Sequence, residues 1–149
     1  MKKLTIIGML VVIGAVCLLL HRQHVESIAR FDSDFRQGLP GTWLMAVDDP
    51  QPQSVGMAQS VRWTNIFAAD GSFTCLSWFR HTDRTNTYRQ TGAWVVKDGH
   101  LVLTIKTSTN PTQGTPFTNS GRIVSADGRT FIVRWPGSTN EGVWQKVIQ

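Results

Sequence analysis

Hydrophobic and polar positions follow three different rules along this chain. From Leu4 to Leu20 the residues are uncharged and almost all apolar, with Lys2 and Lys3 ahead of them and Arg22 just beyond. That run sits at the lower limit for a helix crossing a hydrocarbon core of about 30 Å. Val25, Ile28, Phe31 and Phe35 then recur at the spacing of one helical face, until Gly38, Leu39 and Pro40 interrupt it. Past Pro40 the period falls to two. Val61, Trp63 and Phe67 alternate with Arg62 and Thr64; Leu101, Leu103 and Ile105 with Val102, Thr104 and Lys106; Phe131, Val133 and Trp135 with Ile132 and Arg134.

The breaks between these runs divide the chain into elements. Asp70-Gly71, Asp98-Gly99 and Asp127-Gly128 each stand between two alternating runs, and Asp-Gly suits the positive backbone angles of a tight hairpin. A fourth break falls at Pro136 to Asn140. Eight strands are expected: Thr42–Val47, Ser60–Ala68, Ser72–Arg80, Thr87–Lys97, His100–Ser108, Phe117–Ala126, Thr130–Trp135 and Gly142–Ile148. Consecutive hairpins make a meander, and eight meandering strands hide their edges by closing into an up-and-down barrel. A two-sheet sandwich is the competing arrangement, but its crossings need longer connections than most of these. Asp48 to Gln59 and Thr109 to Phe117 are rich in Pro, Gln and Gly and read as mobile loops at a rim. The chain thus divides into a membrane anchor (1–22), an amphipathic helical linker (23–40) and an all-β barrel domain (41–149).

The stretch "FDSDFRQGLPGTW", a helical turn followed by Gly41, Thr42 and Trp43, resembles the N-terminal GxW motif of the lipocalin-like (calycin) families. The resemblance extends as a pattern over residues 31–149, including the closing "GVWQKV". It implies an eight-stranded barrel in which the tryptophan closes one end and a basic side chain from a late strand packs across it. Gly41 and Trp43 match the motif, and Arg134 and Lys146 both qualify as the basic partner. Pro40 before the glycine departs from the usual pattern, and the domain is short for a full lipocalin, which leaves the depth of any cavity open.

Charge changes the picture little. Of a formal net charge of +5, the first 22 residues carry +3 and the domain from residue 41 another +3, offset by −1 between them. Beyond the first three residues no consecutive Lys or Arg block occurs, so no nucleic-acid groove is expected. Paired N-terminal lysines favour a cytoplasmic start with the rest exported: a single-pass inner-membrane protein with its domain in the periplasm of a bacterium. The alternative is a cleaved signal peptide and a secreted or periplasmic domain, for which Ser27-Ile28-Ala29 supplies small residues. Cys17 and Cys75 lie in different parts of the chain and are not expected to pair.

Candidate chemistry is sparse. His21, His24, His81 and His100 show no HxxxH or HExxH spacing, the cysteines no CxxC, and no nucleotide-binding glycine motif is present; neither a metal, a cofactor nor catalysis is expected. All six tryptophans follow residue 40. Trp63, Phe67, Trp94, Phe131 and Trp135 are expected to point inward, where they either fill the core or line a cavity for a small apolar or amphiphilic ligand. Trp78 and Trp144 are expected outward; with Arg80, His81 and Arg84 they form a candidate surface for an anionic group or an envelope protein partner. Two functions compete: a membrane-anchored ligand-binding module, and a protein-interaction domain such as an inhibitor, an immunity-type protein or an accessory subunit.

Overall fold

A computed structural model describes residues 2–48, 58–137 and 141–148, with side chains described from residue 12 onward and without that of Asp48. It consists of one helix, α1 (Lys2–Gly38), and eight strands: β1 (Gly41–Asp48), β2 (Ser60–Phe67), β3 (Ser72–Arg80), β4 (Thr85–Lys97), β5 (His100–Ser108), β6 (Phe117–Ala126), β7 (Thr130–Arg134) and β8 (Glu141–Lys146). Every strand pairs antiparallel with the next, and β8 returns to pair with β1 through Trp43–Lys146 and Leu44–Gln145. The sheet is a closed up-and-down barrel, consistent with a lipocalin-like one. Observed strand ends match the expected ones in β3, β5 and β6 and differ by at most two residues elsewhere.

The expected hairpins form for the expected reason. At β4–β5, Asp98 (φ 53°) and Gly99 (φ 73°) both take the left-handed backbone of a two-residue turn, whereas in the other two Asp-Gly pairs only the glycine does. There the aspartate works through its side chain. Asp70 Oδ1 accepts from the backbone N–H and hydroxyl of Ser72, and Asp127 Oδ1 from the N–H groups of Arg129 and Thr130. These bonds hold both carboxyls below the ordinary carboxylate range.

Two differences from the sequence reading concern the N-terminal segment. The expected anchor and linker are one uninterrupted helix of 37 residues. The polar "HRQH" at 21–24 does not break it, because its residues tolerate a helix and Arg22 pairs with Glu26 one turn on at 2.9 Å. Second, only the last turns of the apolar stripe reach the barrel: Phe35 is buried and Phe31 packs on the core, while Val25 is half exposed. Among the described residues no helix is long and apolar enough to cross a membrane. Side chains are described for only part of the Leu4–Leu20 run.

Helix and barrel are joined by polar contacts around one barrel end. Trp43 Nε1 donates to the Leu39 carbonyl at 2.7 Å, the Gly99 N–H donates to Asp32 at 2.9 Å, and Arg36 donates to the Val96 carbonyl at 2.8 Å. Lys146 decides between the two basic candidates. Its Nζ lies 5.2 Å from the Trp43 ring centroid and donates to the Gly38 carbonyl at 2.9 Å, whereas Arg134 pairs with Glu141. Trp43 thereby plugs this end, held by the helix on one side and the last strand on the other.

Candidate functional site

The inward aromatic residues occupy two levels of the barrel. Phe67 and Phe131 are almost wholly buried and Trp94 nearly so, in one contiguous cluster with Trp43, Phe73, Val96 and Leu101 at the helix-capped end. Phe131 is the hub, with ring centroids 4.6 Å from Trp43, 5.5 Å from Phe35, 5.9 Å from Trp144 and 6.5 Å from Phe67. Side chains thus fill the interior at this level. Trp63 and Trp135 are partly buried nearer the other end, where Trp63 meets Phe79 edge to face and Phe79 meets Tyr88.

Trp144 corrects the sequence reading. Expected outward, it is 4% exposed and stacks on Phe131, while its neighbour Val143 is 44% exposed. The closure register sets this. Lys146 must face inward to lie across Trp43, so Trp144, two residues earlier on the same strand, faces inward as well.

Polar groups inside the barrel are few. Asn65 stands opposite Trp43 on one side and Cys75 on the other, is 4% exposed, and its Oδ1 has no hydrogen-bond donor among the described residues; Trp144 Nε1 has no acceptor. A polar residue in the inward frame between Trp63 and Phe67 was visible in the alternation itself. Because an unpaired buried carbonyl loses its hydration with no return, replacing Asn65 with valine should raise stability by about 1 kcal/mol. Urea titration checks this, and a lowered midpoint would show that Asn65 satisfies a partner in solution. Burial pushes the Cys75 thiol up to about 12, so it stays protonated and cannot serve as a thiolate nucleophile at neutral pH.

Outside the barrel the strands bring together residues far apart in sequence. Ala46 pairs with Arg62 and Arg62 with Trp78; Leu44 pairs with Thr64; Ser60 pairs with Arg80. All these side chains point away from the core, and they line an open groove of about 590 Å³ on the β1–β3 wall, bounded by Thr85. Trp78 therefore faces outward as expected, and Arg80 shares its groove. His81 and Arg84 do not. They belong to the β3–β4 turn, where the His81 N–H donates to the Arg84 carbonyl, the His81 ring meets Asn86, and Arg84 lies 3.9 Å from Asp83. Sequence reading missed Leu44, Ala46 and Arg62, since only register places them beside Trp78.

The loop between β5 and β6, expected to be mobile, is tied to the barrel through Gln113, which bonds both Gln90 and Ser108. Most of the Asp48–Gln59 loop lies outside the described residues. Among those described, no cluster of His, Cys, Asp or Glu has the geometry to hold a metal ion. His100 Nδ1 lies 2.8 Å from the Asp98 carbonyl at the capped end, remote from the groove. No protein-family model matches the chain, and no curated protein matches it either.

Proposed function

We propose that this is a membrane-tethered, lipocalin-like binding module without catalytic activity, whose site for a small amphiphilic ligand is the outer groove of β1–β3. One observation carries the reading: Leu44, Ala46, Arg62, Trp78, Arg80 and their neighbours line an open, ligand-sized groove of about 590 Å³ on that wall. A half-buried indole beside aliphatic side chains offers the flat apolar contact that such ligands need, and the surrounding hydroxyls orient a polar end. By contrast, the capped end of the interior is occupied by its own aromatic cluster.

The tether rests on the helix. Val12, Ile13, Val16, Leu18, Leu19 and Leu20 are 48–71% exposed, and Gly14 and Cys17 complete the uncharged circumference of α1 between them. An α-helix apolar all round is stable when buried in protein or lipid, and Lys2 and Lys3 then favour the inner membrane with the barrel in the periplasm. Firm docking of the helix end on the Trp43 plug would hold the barrel at a fixed distance from the bilayer.

Calorimetric titration of the full chain in zwitterionic lipid nanodiscs with 2-naphthamide tests the ligand site. Saturable one-to-one binding is expected, weakened about tenfold by Trp78→Ala, the loss of one well-buried aromatic contact. Binding indifferent to Trp78→Ala, or failure of both 2-naphthamide and its carboxylate counterpart 2-naphthoate to bind, would overturn the assignment. A protein partner of the envelope that binds through Trp78 while naphthamide does not would favour the interaction-domain reading instead.

A further inference from the structure

We infer that the groove selects soluble ligands carrying a carboxylate or another compact anion on an apolar body, with Arg62 and Arg80 as the anion-recognising pair. The inference rests on the groove being the ligand site. Its ground is the charge distribution across three strands. Arg62 stands directly opposite Trp78 in the β2–β3 ladder, and Arg80 lies two residues further along β3, opposite Ser60. The indole is thus bordered by a guanidinium across the strand and by another along it. Both arginines are exposed, and neither forms an ion pair among the described residues.

No carboxylate lines the groove among the described residues. Asp48 pairs with Ser60 in the β1–β2 ladder, and its side chain lies outside those described. Arg62 and Arg80 are thus the charged groups of the lining among the described residues. Arg89, opposite Leu76 on the same outer face, adds to the field. A neutral amphiphile would use the indole and leave both guanidinium groups solvated. An anionic one uses both features: the apolar body lies on Trp78, Leu44 and Ala46, and the anion accepts charge-assisted hydrogen bonds from a planar donor fork.

Position favours a soluble anion over a lipid headgroup. Helix α1 docks where Gly41, Trp43 and Lys146 meet, and the groove lies on the wall toward the opposite strand ends, where β1 finishes, β2 begins and β3 finishes. A bilayer holding the N-terminal run would therefore adjoin the capped end, not the groove.

The test compares 2-naphthoate with 2-naphthamide, which share the ring system and differ in charge, on the full chain in zwitterionic nanodiscs. At low ionic strength the carboxylate should bind at least about tenfold more tightly than the amide, the advantage shrinking with added salt as expected for exposed charges. Arg62→Gln with Arg80→Gln should reduce naphthoate affinity to that of the amide for the parent chain. Arg62→Lys with Arg80→Lys, which retains charge but not the fork, should recover part of the difference. Equal affinity for the two probes, or indifference of naphthoate to the glutamine pair, would overturn anion selection while leaving the groove assignment intact; failure of both probes to bind would overturn the groove itself. Adding phosphatidylglycerol to the discs should produce no arginine-dependent loss of naphthoate binding. Such a loss would make the lipid headgroup the occupant and overturn the assignment to a soluble ligand.

Discussion

Replacement of Phe131 with alanine is expected to lower the unfolding free energy by about 3 to 5 kcal/mol, the usual range for emptying a fully buried aromatic site. The upper part of that range is favoured here. Phe131 has no solvent exposure and touches Trp43, Phe35, Phe67 and Trp144, which arrive from β1, α1, β2 and β8. Those four elements include both strands of the closing seam, so the neighbours cannot collapse into the gap without shifting the β1–β8 pairing. Each aromatic pair also contributes about 0.5 to 1.5 kcal/mol beyond its buried area. Against a typical domain stability of about 5 to 15 kcal/mol, the variant should unfold at markedly lower urea, with loss of near-ultraviolet tryptophan signal. Trp78→Ala on the outer wall should move the midpoint far less. A small effect of Phe131→Ala would mean that the interior is not packed around this ring.

How much of this architecture could be read from the sequence depends on whether the signal is local. The Asp-Gly turns and the period-two runs are local, so eight strands in meander order follow directly from them. The plug is semi-local: Gly41 and Trp43 stand together, but choosing Lys146 over Arg134 required knowing which residue pairs with Trp43 across the seam. Trp144 went wrong for the same reason. After the break at Pro136–Asn140 the inward frame of the last strand is not determined by its own residues, since Val143 and Trp144 are both apolar candidates. The groove is the least legible feature. Ala46, Arg62 and Trp78 become neighbours only through two successive registers, and nothing in the sequence around Arg62 distinguishes it from any solvent-facing arginine. The unbroken helix was hidden by the opposite effect, a local polar stretch that resembles a boundary yet keeps helical geometry.

Gly92→Ala should be as damaging as the loss of the central ring, through overcrowding instead of a void. Gly92 faces Phe73 in the β3–β4 ladder and Ile105 in the β4–β5 ladder, where the register shifts between Thr91 and Gly92. A Cβ at this position would overlap the carbonyl oxygen of Thr104 and come within 2.9 Å of its carbonyl carbon and of the Phe73 ring. Side chains can swing aside, but a carbonyl in the middle of a ladder cannot. Relief requires parting β4 from β5, the pair that carries Trp94 and Leu103 into the core, and the expected cost is about 3 kcal/mol or more, at the upper end for overpacked sites. Gly114→Ala, where an added methyl meets nothing within 4 Å, should stay within about 0.5 kcal/mol of the parent. Combining Gly92→Ala with Phe73→Leu separates the two obstructions. If the Thr104 carbonyl is the obstacle, the double variant is at least as unstable as the sum of the single losses. Recovery on shortening Phe73 would place the conflict in the ring and show that the β4–β5 backbone has room to give.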